Sequence, residues 1–279
     1  MAAMIEVLSA FRNSCVKFKT LKPQRFAPED IFVGNHTVVC RAVMEDTGEV
    51  MSLKCFPRKR RNASAIYGKS FLPEEAGVYT LNNWCEYLDI VAEPWIDGET
   101  VDVIMERRDC DYALISRAFD RMAIDALRDT RTHGDIQPRN LILTPQGDIH
   151  LIDYDAAWVP GLKFIDLEEI GAPNFGHPKR LGKYFDAYMD DYPIAILSVM
   201  FAALSYDREK YEQCITHDFT VFNTHQVYMG ADKLLEDAVK LFERHRDTVH
   251  RKIASSLAGN DGRIAGLAEM LEERFKTPL

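Results

Sequence analysis

The stretch His133-Gly134-Asp135-Ile136-Gln137-Pro138-Arg139-Asn140 holds the residue types and spacing best suited to chemistry, and Ile152 and Asp153-Tyr154-Asp155 follow it. Asp135 at the tip of a loop can accept or orient the proton of an attacking hydroxyl. Asn140, five residues on, and Asp153 offer oxygen atoms of the kind that Mg2+ takes when phosphate groups supply its other ligands. A proton-orienting carboxylate with two magnesium ligands is what moving a phosphoryl group from ATP requires. The eight histidines have no metal-ligand spacing, and His133 reads as a brace for the loop rather than as a base.

Elements must bring these groups together. Leu141-Ile142-Leu143 and Ile149-His150-Leu151-Ile152 read as short strands joined by a turn over Thr144 to Asp148, so Asn140 and Asp153 return to one mouth. Around this β-rich island the chain after Arg108 reads as largely helical. The apolar run Pro193 to Leu204 suits a buried helix, and Leu234, Leu235, Ala238, Val239, Leu241 and Phe242 make an apolar stripe. Upstream, residues 1–27 read as a helical preamble, with Ile5, Leu8, Phe11 and Val16 at roughly helical spacing. Thr37 to Val43 and Val50 to Phe56 are expected as strands about the turn Asp46-Thr47-Gly48. A basic connection from Arg58 to Lys69 precedes an expected helix over Pro73 to Trp84, with Pro73 suited to its first turn. Ile90 to Ile96 and Thr100 to Met105 are expected as strands. The plan is a helical extension (1–27), a small β-rich lobe (28–108) and a larger helical lobe (109–279), with the junction near 106–109.

Composition sets the class. With 34 basic and 43 acidic residues the 279-residue chain carries a net charge of −9, which argues against nucleic-acid binding driven by phosphate neutralisation. The 47% hydrophobic content argues against disorder. None of the six cysteines forms a C-x-x-C pair, so they read as reduced thiols. The N-terminus has no signal-peptide pattern and the longest apolar run is too short to span a bilayer, so a cytoplasmic protein without a membrane partner is expected.

The string H-G-D-x4-N followed by Asp153 resembles the catalytic and magnesium-binding loops of the protein-kinase-like superfamily, in its bacterial type with a His-Gly-Asp loop. The resemblance covers roughly residues 30–205 and implies an α+β, two-lobed protein-kinase-like fold that binds ATP and Mg2+ in the cleft between its lobes. It implies that Asp135 orients the acceptor hydroxyl and that Asn140 and Asp153 hold magnesium. Val50-Met51-Ser52-Leu53-Lys54 is similar to the V-A-I-K strand, so Lys54 would reach the phosphates. A helix-borne glutamate would hold Lys54, with Glu75 the candidate and Glu74 in reserve. Gly34 belongs to the phosphate-covering loop Val33 to Val39. Val103-Ile104-Met105-Glu106 is similar to the strand entering the hinge, which would put Met105 behind the adenine and the backbone of Glu106, Arg107 and Arg108 at its edge. Gly171-Ala172-Pro173-Asn174-Phe175-Gly176-His177-Pro178 resembles the end of a Ser/Thr kinase activation segment, and implies a protein substrate presented to residues 171–178. Asp190 or Asp191 would brace the catalytic loop.

Departures from the pattern bear on activity. The phosphate-covering loop keeps one glycine of three, and Gln137 stands where a lysine usually meets the transferred phosphate. Gly134 replaces an arginine that would dock a phosphorylated segment, Asp155 replaces a glycine, and Lys179 replaces an anchoring glutamate. The basic run Arg58-Lys59-Arg60-Arg61 reads as a solvated loop or a patch for an acidic partner. The expected activity is transfer of the ATP γ-phosphate to a Ser or Thr hydroxyl. A nucleotide-binding pseudokinase is the alternative, and a small-molecule kinase a third.

Overall fold

Two stretches of the chain each build a core of their own: Met1–Trp95 and Ile96–Leu279. The computed structural model describes residues 3–34, 36–81, 84–163, 166, 168–180 and 185–276.

The first unit comprises α1 (Met4–Arg12), β1 (Lys17–Phe18), β2 (Ile31–Val33), β3 (Val38–Val43), β4 (Val50–Phe56), α2 (Ala63–Tyr67), β5 (Phe71–Tyr79) and β6 (Cys85–Pro94). Its six strands form one antiparallel sheet in the order β1-β5-β6-β4-β3-β2. Burial alternates along β3, as the two-residue period of a half-covered strand requires. Val38, Cys40 and Ala42 join Leu53, Cys55, Ala76, Val78 and Ile90 in a core that α1 covers with Val7, Ala10 and Phe11. The helical preamble is therefore confined to Met4–Arg12. Ile5 is exposed, Val16 lies beyond the helix, and the next residues add strand β1 to the sheet.

The expected helix over Pro73–Trp84 is strand β5 instead. Phe71 and Leu72 pair with Val91 and Ile90, and pairing resumes at Ala76 opposite Leu88. Pro73, Glu74 and Glu75 bulge between these points, where a proline costs no ladder hydrogen bond. Glu74 takes a positive φ of 52°, and its N–H donates to Asp89 Oδ1 at 2.8 Å. Pro-Glu-Glu imitates a helix start, but pairing with β6 decides the conformation.

The second unit comprises β7 (Glu99–Thr100), α3 (Val101–Met105), α4 (Tyr112–Arg128), β8 (Leu141–Leu143), β9 (Ile149–Leu151), α5 (Asp191–Tyr206), α6 (Arg208–Glu212), α7 (Thr224–Tyr228), α8 (Lys233–Arg244), α9 (Thr248–Ser256) and α10 (Leu267–Lys276). The expected strand over Thr100–Met105 is mostly helix α3. Val101 and Met105, four residues apart, are buried and Val103 between them is exposed, which is helical rather than strand periodicity. Both buried residues belong to the second core. The boundary between units accordingly falls at Trp95, earlier than the junction expected near 106–109.

The apolar run lies where expected. All of α5 from Asp191 to Leu204 is buried, α4, α6, α8 and α9 pack about it, and α10 packs on α4 and α9. Strands β7, β8 and β9 form a three-stranded sheet whose β8–β9 hairpin turns at Thr144–Asp148. No helix among the described residues is long and apolar enough to cross a membrane.

Candidate active site

Asp190, the residue before α5, organises the loop that carries Asp135. Its Oδ1 accepts the N–H of Gly134 at 2.8 Å and its Oδ2 that of His133 at 2.5 Å. Burial pushes its carboxyl above the usual range, and these N–H donors act in the opposite direction. The choice between neighbouring aspartates is thereby resolved. Asp191 is instead committed to the N–H of Ile264 at 2.8 Å, and burial pushes its carboxyl up to about 7.

His133 completes the brace. Its Nδ1 accepts the N–H of Asp135 at 3.1 Å, and its Nε2 lies 2.8 Å from the carbonyl of Ile152. An amide can only donate and a carbonyl can only accept, so the ring is neutral with its proton on Nε2. Burial holds its pKa below the ordinary value. The Tyr154 ring lies tilted against this ring, with centres 4.5 Å apart, and the Arg131 guanidinium lies 3.8 Å from the centre of the Tyr154 ring. Gly134 is required by space as well as by conformation: at φ 79° an added Cβ would lie 2.1 Å from the Ala156 carbonyl oxygen. No residue with a side chain has room at this position.

Asp135, half-buried, is held by three neutral donors. Its Oδ2 accepts from Gln137 Nε2 at 2.8 Å and Asn140 Nδ2 at 2.9 Å, and its Oδ1 accepts from the N–H of Ala172 at 2.5 Å. A carboxylate has about four lone-pair positions, so one on Oδ1 remains for a further proton. Asn140 Nδ2 also donates to the Asp135 carbonyl at 2.8 Å, which leaves the amide oxygen Oδ1 as its open coordinating atom among the described residues. The Asn140 carbonyl accepts the N–H of Ile152, and Asp153 follows, exposed and in the left-handed region at φ 68°. Asn140 and Asp153 are an oxygen-only pair, which suits Mg2+ when phosphate and water complete its shell. Among the described residues no cluster of three or more His, Cys, Asp or Glu side chains is placed to hold a metal alone.

The 171–178 segment reaches the same loop. Besides the Ala172–Asp135 bond, an added Cβ on Gly171 would lie 2.2 Å from the Gly134 carbonyl oxygen. His177 anchors the segment's far end, with Nδ1 accepting the Lys179 N–H at 3.1 Å and Nε2 donating to the Asn260 carbonyl at 2.9 Å. Its ring packs edge-on against Tyr192 and Tyr228, while the Lys179 ammonium lies over Tyr228 at 4.6 Å. Sequence reasoning passed over this histidine, although its His-x-x spacing to the donated N–H repeats that of His133 and Asp135.

In the first unit, Lys54 lies on β4 opposite Val39 and Val91, on the face away from Leu53 and Cys55. Its ammonium lies 5.5 Å and 5.9 Å from the ring centres of Phe56 and Tyr67. Gly34 lies in the β2–β3 turn, where its N–H donates to the Thr37 carbonyl at 2.9 Å; Asn35 of that loop is outside the described residues.

The glutamates expected beside Lys54 are placed otherwise. Glu75 is a strand residue, and its buried carboxylate accepts from the Thr20 N–H (2.7 Å), the Thr20 hydroxyl (2.9 Å) and the Leu21 N–H (2.8 Å). It ties the N-terminal segment to β5. Glu74 is exposed and paired with Lys59 at 2.8 Å and Lys19 at 3.8 Å. Helix α2 carries no acidic residue.

The expected adenine-edge residues also differ from their strand-like reading. Met105 ends α3, buried in the core of the second unit, Glu106 caps that helix, and Arg107 pairs with Glu99. Met105 and Glu106, with Arg139, Thr216 and Phe219, line a cavity of about 320 Å³ within the second unit. No family model matches the chain, and no curated protein matches it significantly.

Proposed function

We propose that the chain is an ATP-dependent phosphotransferase of the protein-kinase-like type that moves the γ-phosphate to a Ser or Thr hydroxyl on a protein. The observation that carries this reading is the Asp135 carboxylate. Three neutral donors fix it with one lone-pair position left, on a loop braced from beneath by Asp190. That arrangement suits a group that must point at one hydroxyl proton and change its own position little during transfer. Asp135 orients the hydroxyl and takes its proton on Oδ1, while Gln137 and Asn140 hold Oδ2 and so fix the plane of the carboxylate.

Asn140 and Asp153 would hold magnesium, which when bound screens the phosphate charge. Lys54 is the phosphate-positioning residue of this reading. The contact of Gly171 and Ala172 with the Asp135 loop favours a protein acceptor, because it sets a peptide platform beside the proton-accepting group.

A nucleotide-binding pseudokinase is the second reading. It is favoured by the commitment of Glu75 to Thr20 and Leu21, which removes the expected partner of Lys54.

Single-turnover transfer from labelled Mg-ATP, with calorimetry of nucleotide binding, separates the two. Phosphotransfer predicts labelling of the chain itself or of a generic protein. Asp135→Ala and Asp153→Ala should each lower it by roughly two to four powers of ten. Tight nucleotide binding with no transfer in the wild type would select the pseudokinase, and label appearing only on a small alcohol would select a small-molecule kinase.

A further inference from the structure

Arg180 is a cation that lies close to the Asp135 loop. Phosphoryl transfer spreads negative charge over oxygens that need a fixed positive partner. The neutral amide of Gln137 cannot supply that charge, and one of its two N–H donors is held by Asp135. Arg180 stands at the end of the 171–180 segment, its own N–H donating to the His177 carbonyl at 2.9 Å. The side chain runs beside Gly176, where an added Cβ would be in ordinary contact with Arg180 Cδ at 3.4 Å and Nη1 at 3.5 Å.

The guanidinium is close enough to Asp135 and Asp190 for both carboxylates to act on it, but it forms no ion pair with either. Its Nη2 is buried and has no hydrogen-bond partner among the described residues. Two other buried polar atoms share that condition, Asp102 Oδ1 and Thr132 Oγ1. Arg180 differs from both in being a permanent cation, so its open N–H cannot be relieved by a change of protonation. Burial pulls its pKa down, with the two aspartates opposing. An unpaired buried donor is costly by itself, and the cost is removed when a ligand supplies the acceptor.

We propose that Arg180 is a phosphate-binding residue, whose Nη2 donates to an oxygen of the terminal phosphoryl group of the nucleotide beside Asp135. The inference rests on the phosphotransferase reading and extends it with a residue outside the H-G-D-x4-N string. Arg180 would favour the triphosphate over the diphosphate and would hold the phosphoryl group as it leaves.

Calorimetry of the full chain with Mg-ADP and with the magnesium complex of a non-hydrolysable ATP analogue tests it, using wild type, R180Q and R180K. The expected result is that R180Q loses about ten- to a hundredfold in affinity for the triphosphate while binding Mg-ADP as before. R180K should recover part of the preference, since a lysine keeps the charge but not the planar fork. Equal weakening of both nucleotides, or no change in either, would overturn the assignment. Should R180Q fail to fold, R180K carries the test: a reduced triphosphate preference at unchanged melting temperature supports the assignment, and an unchanged preference overturns it. A wild-type chain that binds neither nucleotide would overturn the phosphotransferase reading itself, and this inference with it.

Discussion

His133 and His250 are both buried in the second unit among aspartates, yet their surroundings give them opposite charge states. His133 faces backbone on both sides, an N–H toward Nδ1 and a carbonyl toward Nε2, and burial keeps it neutral. His250, on α9, faces carboxylates on both sides: Asp247 Oδ2 at 2.6 Å from Nδ1 and Asp120 Oδ2 at 3.1 Å from Nε2. Burial opposes its charge, but the two carboxylates outweigh burial and raise its pKa to about 9. Asp120 also accepts from Ser198 and pairs with Arg274 at 2.5 Å, so this cluster is closed, with its charges compensated from within. The cluster about Asp135 is open among the described residues, with a lone-pair position on Asp135 and an unpaired N–H on Arg180. Closed charge clusters fix helices to one another, whereas an open cluster leaves interactions for a ligand to complete.

The strongest test of this contrast is Asp120→Asn, which strips the closed cluster of a charge and leaves His250 and Arg274 with less compensation. The expected loss is about 3–5 kcal/mol of stability in denaturant unfolding. A loss under about 1 kcal/mol would mean that the cluster does not fix α4, α9 and α10 as described. A second test uses pH. The pKa of His250 is raised on folding, so its contribution is complete below about 6.5 and is lost as pH rises toward about 9. Asp247 is lowered to about 2, chiefly through its bonds and charge interaction with His250 against burial. Its contribution is therefore lost as pH falls from about 3.8 toward about 2. His133 has the opposite slope: because folding lowers its pKa, stability should fall on acidification below about 6.5.

His250→Gln should accordingly flatten the alkaline side of the stability profile, and His133→Gln should flatten part of its slope below about 6.5. Identical profiles for the two variants would break the comparison. The smallest effect is expected at His177, which is wired to backbone as His133 is. His177→Gln should cost about 1–3 kcal/mol by leaving an N–H or a carbonyl unpaired. It should also lower transfer to a protein acceptor more than it lowers nucleotide binding, measured by comparing KM for each substrate. Equal losses in both would remove the segment's assigned part in acceptor placement.

The grouping of Asp135 with Asn140 was legible because it is local. Asp135 and Asn140 are five residues apart and hydrogen-bonded, and one short hairpin separates Asn140 from Asp153. The buried helix Pro193–Leu204 was legible for a similar reason, since an apolar run of that length admits few other placements. The glutamate partner of Lys54 was not. Pro73-Glu74-Glu75 carries the local signal of a helix start, and the strand it forms depends on β6, which follows it in the chain. Likewise, β-branched residues favoured a strand at Thr100–Met105, while burial of Val101 and Met105 in one core selects a helix.

From its sequence alone the chain carries a local order of groups: a carboxylate on a loop, two oxygen-bearing side chains across a hairpin, and a glycine in the loop. Residue type and spacing along a short span are enough for that, because the intervening backbone has few ways to run. Tertiary structure decided the rest. It chose Asp190 over Asp191, committed Glu75 to Thr20 and Leu21, seated His177 on the Asn260 carbonyl and brought Arg180 near Asp135. Each of these outcomes depends on which segments meet in space, and a buried polar group takes whichever partner the packing brings within reach.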